Sequence, residues 1–219
     1  MKLLPLDNPD ILALVAHWLA QKENHQWLDF GNGRRIVTPA LLKIMAQRPA
    51  HFMRAYTSDR DDTPIGICGL SSVDLTFRSA TLWGAQGDQR FRNRGLGTLA
   101  AAKVLTLGFR DLGLRTINTW VAEGNPSLRL IQRLNFRFIG RQRSCHLIDG
   151  LAVDRLLFDL LASEHECTEG DYRPRRKRLP VQAAASDSIK VRGPCPDGGP
   201  APQRMPPTGA DSDRGTRSG

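Results

Sequence analysis

Hydrophobic and polar positions along this chain follow two periods, and the switches between them mark the elements. Residues 2–6 read as a short strand. Asn8 or Asp7 can then cap a helix with Pro9 at its first position, where a missing N–H is harmless. Ile11, Leu12, Leu14, Val15, Trp18 and Leu19 follow at helical spacing. A polar stretch holding Trp27, Leu28 and Phe30 closes in Gly31-Asn32-Gly33, a turn signal. Thr38-Pro39 opens a second helix to about residue 47, with Thr38 as cap and Leu41, Leu42 and Ile44 expected to face inward.

Past residue 50 the strand period takes over. Residues 51–57, 65–73 and 78–86 read as three strands, the first two joined by the turn Asp59-Arg60-Asp61-Asp62-Thr63-Pro64. Consecutive strands with short turns predict an antiparallel meander. The helical period returns at residues 95–112, with Leu99, Val104, Leu105, Leu107 and Phe109 apolar, and Leu112-Gly113-Leu114 stops it. A strand at 115–122 and a short helix at 127–134 follow. Two last strands, 136–147 and 151–161, flank Ile148-Asp149-Gly150, and Asp-Gly between strands is a strong hairpin signal. The order βαα–βββ–α–β–α–ββ predicts an α/β (α+β) fold: a mixed, mostly antiparallel sheet with helices on both faces.

Composition changes the picture only at the end of the chain. From residue 168 large apolar side chains nearly vanish and Pro, Gly, Ser, Asp and Arg dominate. Such a stretch buries too little surface to offset chain entropy. The expectation is a domain of residues 1–167 and a disordered basic tail, 168–219, with its densest charge at 172–180. The whole chain carries 31 basic and 22 acidic residues, for +9; the tail holds ten and six of them. A basic tail can attract nucleic acid, but this one reads as a solubilising appendage, with no nucleic-acid partner expected. No apolar run reaches membrane-span length. The opening MKLLPLDNPD lacks the apolar core of a signal peptide. Cys68, Cys145, Cys167 and Cys195 form no C-x-x-C and read as reduced thiols of a cytoplasmic protein, with no metal site.

The stretch at 83–109 carries the candidate chemistry. A strand enters the turn Gly87-Asp88. Arg90, Arg92 and Arg94 follow, then Gly95-Leu96-Gly97-Thr98 at a helix start. Helix N-termini present unpaired N–H groups and a positive dipole end, and arginines beside them suit a pyrophosphate. Gly95-x-Gly97-x-x-Ala100 formally fits the dinucleotide fingerprint. That fingerprint wants its first glycine directly after the strand and an acid closing the next one. Here an arginine-bearing segment intervenes, and the next strand has no acid until Glu123.

Arg92-x-x-Gly95-x-Gly97 instead resembles the acyl-CoA pyrophosphate loop, Q/R-x-x-G-x-G/A, of the GNAT N-acetyltransferases. The C-terminal half is similar to the ribosomal-protein N-terminal acetyltransferase branch. The likeness rests on Pro126-Ser127, Arg129, Leu134, Phe136, Gly140-Arg141, Asp149-Gly150, Asp154, Phe158 and Leu160-Leu161. The sequence departs from that pattern at two places: Gly124 stands where the branch has Asn, with Asn125 one position later, and Asn135 replaces a glycine. Ile131 stands where many GNAT enzymes, but not several members of this branch, carry a tyrosine acid.

The resemblance implies the GNAT acyl-CoA N-acyltransferase fold and direct acetyl transfer from acetyl-CoA to a primary amine. The amine would be a protein N-terminus or a small amine such as an amino sugar, and a homodimer is compatible with the family. It implies that two central strands splay to admit the pantetheine arm. Acetyl-CoA is then expected to be held by Ala85, Gln86, Gly87, Arg92, Asn93, Arg94, Gly95, Leu96, Gly97, Thr98 and Asn125. Glu123 is the candidate base, and Ser127 either donates to the leaving thiolate or caps the short helix. Trp18, Trp27 and Phe30 are candidates either for the acceptor side or for core packing. His17, His25 and His146 read as surface or packing residues. The alternative is a CoA-binding or nucleic-acid-associated regulatory protein without turnover.

Overall fold

A computed structural model of the chain describes residues 1–29, 37–58 and 61–166. Phe30, the Gly31-Asn32-Gly33 turn, Asp59-Arg60, Cys167, Cys195 and the tail lie outside the described residues. Strand β1 (Leu3–Pro5) leads into helix α1 (Pro9–Ala20). Asn8 caps α1, its side chain accepting from the Asp10 N–H at 2.8 Å. A single helical turn, α2 (Lys22–His25), was not expected from the sequence. Helix α3 (Pro39–Gln47) starts at Thr38, whose hydroxyl accepts from the Leu41 N–H at 3.2 Å. Of its three expected inward residues only Leu42 is buried; Leu41 and Ile44 are exposed. A nine-residue helix packed by one stripe covers one leucine and leaves its neighbours in water.

Strands β2 (Phe52–Thr57), β3 (Pro64–Asp74) and β4 (Ser79–Gln86) form the antiparallel meander. After a short 3-10 turn comes helix α4 (Leu96–Arg110), then β5 (Thr116–Ala122) and helix α5 (Leu128–Arg133). Strands β6 (Arg137–Ile148) and β7 (Leu151–Leu161) close the fold as a hairpin. Asp149 and Gly150 both have positive φ in its turn, which is what the Asp-Gly pair predicts. The sheet order is β1-β2-β3-β4-β5-β7-β6, and β4 with β5 is the parallel pair.

Strand alternation sends side chains to two separate cores. On one face Tyr56, Cys68, Leu70, Ala80, Leu82, Ile117 and Val121 meet the buried stripe of α4. On the other Met53, Ala55 and Ile67 meet α1 and α3. The α4 stripe is wider and smaller than its large apolar residues suggest. Ala100, Ala101, Ala102, Val104 and Leu105 are buried, while Leu99, Leu107 and Phe109 are half-buried. Small residues let the helix sit close to the sheet. None of the described helices is long and apolar enough to cross a membrane.

Candidate active site

The central feature is a gap between the two parallel strands. The described ladder of β4 and β5 runs Ser79↔Thr116, Ala80↔Ile117, Thr81↔Asn118 and ends there. One residue on, the Thr119 hydroxyl donates to the Leu82 carbonyl at 3.0 Å, a side chain standing where the ladder would continue. Both strands go on to Gln86 and Ala122, each still paired on its outer side.

Ladder parity decides which main-chain groups face this gap. The Gly87 N–H donates to the Ile65 carbonyl at 2.9 Å, so Ala85 and Gly87 turn their main chain toward β3. Gly84 and Gln86, one step out of phase, turn theirs toward β5. On β5, the Glu123 N–H donates to the Asp154 carbonyl at 2.9 Å, so Trp120 and Ala122 face the gap instead. Ala85 and Gly87, expected from the sequence to hold acetyl-CoA, thus turn their N–H groups toward β3. Gly87 has a packing role, since a Cβ there would fall within the buried Trp18 ring. Trp18 is thus core.

Gln86 is held from three sides. Its Nε2 donates to the Ile65 carbonyl at 2.9 Å and the Asp88 carbonyl at 3.0 Å, and its Oε1 accepts from the Tyr56 hydroxyl at 3.0 Å. Burial pushes the Tyr56 phenol well above its usual value. Tyr56 was invisible to the sequence reading. The one available signal was Gly66, which lies under the ring: a Cβ there would overlap it.

Beyond Gln86 the chain turns at Asp88, whose carboxylate accepts from the Arg90 N–H at 2.9 Å and pairs with the Arg90 guanidinium. The hydrogen bonds from the Arg90 guanidinium, helped by that from its N–H, hold the Asp88 carboxyl below its usual range. Arg92, Asn93, Arg94 and Gly95 are all exposed, with Arg94 stacked 5.0 Å from the Phe91 ring centroid. Gly95 caps α4 with φ +79°, and Asn93 also has positive φ. A Cβ on Gly95 would meet nothing, so its requirement is conformational. Leu96 and Thr98 are buried and offer only main chain here. Gly97 lies where its Cβ would contact the Tyr56 hydroxyl at 3.5 Å and Leu130 at 3.8 Å. Glycines, exposed arginines and a helix start converge beside the gap, and such a cradle fits a diphosphate with an extended arm.

At the end of β5, Glu123 is exposed and lies 3.4 Å from Arg141, which also binds Asp154 at 2.9 Å. Asp154 accepts the Ser144 N–H at 2.8 Å as well, and with Arg141 this holds its carboxyl below the usual range. Asn125 lies just after this corner, and its side chain accepts from the Ser127 N–H at 2.8 Å. Ser127 makes no side-chain cap bond to α5, so its expected capping role is not seen. Asn135 adopts φ +65°, so it takes the glycine's place in the turn before Phe136. His146 is buried, its Nε2 2.7 Å from the Gln26 carbonyl and its Nδ1 3.1 Å from Arg155, a packing role as expected. No group of metal-ligating side chains occurs among the described residues.

The family model of the acetyltransferase (GNAT) domain matches residues 1–137. The uncharacterized N-acetyltransferase p20 of Bacillus licheniformis is 30% identical over 105 residues, 48% of this chain and 58% of that protein. The chain thus spans 58% of the length of the curated relatives it matches. The fold is shared with a Vibrio cholerae spermidine N-acetyltransferase solved with CoA and spermine. That likeness has TM-score 0.66 and 18% identity, covering 74% of this chain and 96% of the other. It is shared too with a Vibrio fischeri ribosomal-protein-S5-alanine acetyltransferase. There the TM-score is 0.61 and the identity 16%, over 75% and 93% of the two chains.

Proposed function

We propose, from the premise that this chain belongs to the acetyltransferase (GNAT) domain family, that it moves an acetyl group from acetyl-CoA to a primary amine. The observation that carries this is the parting of β4 and β5 directly beside the glycine-capped start of α4. The first N–H groups of α4, the main chain at Asn93 and Gly95, and the Arg92 and Arg94 guanidiniums bind the diphosphate. The arm lies in the gap along the main chain of Gly84 and Gln86. Helix α4 covers one face of the sheet, so the acyl end is presented toward the face of α1 and α2.

In the transfer, the amine nitrogen forms a bond to the carbonyl carbon, the carbon–sulfur bond breaks, and the sulfur leaves as thiolate. The carbonyl oxygen gains negative charge, for which a gap-facing N–H of β4 is the available donor. Glu123, one residue past β5, takes the ammonium proton through solvent, its carboxylate oriented by Arg141. The Ser127 hydroxyl, not used as a cap, donates a hydrogen bond to the departing thiolate, which takes its proton from solvent. The acceptor is a protein N-terminal amine or a small amine, and the site belongs to the cytoplasm.

Thermal stabilisation by acetyl-CoA tests the loop. Arg92→Ala with Arg94→Ala should abolish most of the wild-type shift while leaving the unliganded Tm close to its starting value. Gly97→Trp should abolish it too, with a lower unliganded Tm because a side chain there meets Tyr56 and Leu130. In the same preparation Glu123→Gln should keep the shift and lose thiol release with amines. Equal shifts in wild type and loop variants would remove the diphosphate assignment.

A further inference from the structure

Three links tie the segment from α2 to Asp29 onto the β6–β7 hairpin, across the sheet face opposite α4. Lys22 Nζ meets Asp149 Oδ1 at 2.7 Å. The His146 ring meets the Gln26 carbonyl at 2.7 Å. Arg155 meets Asp29 at 2.8 Å. The first link is well exposed, and such pairs contribute little. The other two pass through one side chain. Arg155 Nη2 also donates to His146 Nδ1 at 3.1 Å. That leaves the imidazole proton on Nε2, where it donates to Gln26. The guanidinium further lies 3.9 Å from the centroid of the Trp120 ring, which in turn packs at 5.4 Å on His146. Arg155 keeps only 15% of its side-chain surface exposed, so these contacts act with little screening.

The place of this arginine matters. Arg155 is paired in register with Ala122, the last residue of β5, and Ala122 and Trp120 face the gap. Segment 26–29 is therefore a wall beside the end of the gap at which the amine would arrive. Attack on a carbonyl needs the amine held near 3 Å and correctly aimed, so a displaced wall affects reaction geometry.

We propose that Arg155 is a positioning residue for the amine acceptor: through Asp29, His146 and Trp120 it fixes segment 26–29 as one wall of the acceptor site. This rests on the acetyl-transfer reading above. It distinguishes Arg155 from the arginines of the loop, which serve the acyl donor on the other side of the sheet.

Full-length protein is assayed for thiol release with each substrate varied separately. The amine probe is whichever of an alanine-initiated peptide, glucosamine or spermidine gives the highest rate. Arg155→Ala should raise the amine KM by about tenfold while the acetyl-CoA KM stays within about twofold. Arg155→Lys, which keeps the charge but not the planar fork or the stack, should fall between. Asp29→Asn, outside the sheet, is the check should Arg155→Ala fold poorly. It should raise the amine KM in the same direction, and its effect should be less than additive with that of Arg155→Lys. An active wild type whose variants shift both KM values together, or neither, would overturn the positioning role and leave acetyl transfer standing. A wild type that binds acetyl-CoA and acetylates none of the three amines would overturn the transferase reading, and this proposal with it.

Discussion

At the scale of single residues, the site depends on side chains that touch no substrate. Tyr56 and Gln86 form a relay that joins β2, the end of β4 and the turn at Asp88, next to the first turn of α4. Tyr56→Phe removes one hydroxyl and leaves the Gln86 Oε1 without its donor. A part-buried acceptor left unmade costs about 1–2 kcal/mol, a Tm loss of roughly 2–8 °C for a domain of this size. The freed Gln86 should also weaken acetyl-CoA stabilisation, because its main chain borders the gap. Thermal melts with and without acetyl-CoA check both parts. An unchanged Tm would mean that water replaces the phenol at no cost. Cys68 is a contrast: burial pushes its thiol up to about 12, so it is an inert part of the core.

At the scale of elements, boundaries were legible where local chemistry sets them. Asn8-Pro9 and Thr38-Pro39 cap their helices, Gly95 starts α4, and Asp149-Gly150 turns the last hairpin, all as their residue types predict. The loop arginines and glycines were legible for the same reason, being one contiguous motif. What was not legible depends on register or on long-range pairing. Ala85 and Gln86 look alike to a motif, and only the pairing of β4 with β3 shows which one faces the gap. Arg155 with Asp29 is a contact across 126 residues, and no local pattern announces it. The end of β7 offers a further element-scale test. His165 follows it and packs on α4, its Nε2 2.8 Å from the Thr106 hydroxyl and its ring against Phe109. Burial lowers its pKa, the nearby Glu166 only partly opposing this. The unfolded chain therefore binds this proton first as pH falls below about 6.5, and the folded state loses stability progressively down to the folded pKa. Wild type should lose more Tm than His165→Phe between pH 7.5 and pH 5.5, since the other histidines act in both. Parallel losses would show that His165 does not sense the fold.

For the whole molecule, the buried clusters on the two faces of the sheet are built from residues 1–160. The helices α1 and α3 cover one face, α4 and α5 the other, and each face has its own buried cluster. The tail sequence has few large apolar residues with which to add to either cluster, and it carries ten basic against six acidic residues. It supplies +4 of the +9 net charge, and the field of such a charge is screened by salt over about 10 Å at 0.1 M. Truncation after Cys167 should therefore shift Tm by no more than about 2 °C, because little apolar area is lost. Stabilisation by acetyl-CoA should also survive, since the diphosphate cradle proposed above lies within residues 92–98. The measurement is a pair of melts on full-length and truncated protein, at low and high salt. A difference in affinity that fades with salt would mean the tail draws the anionic acyl donor toward the loop by its charge. A large Tm loss at any salt would mean the tail packs on the domain, and the division of the chain at residue 167 would be wrong.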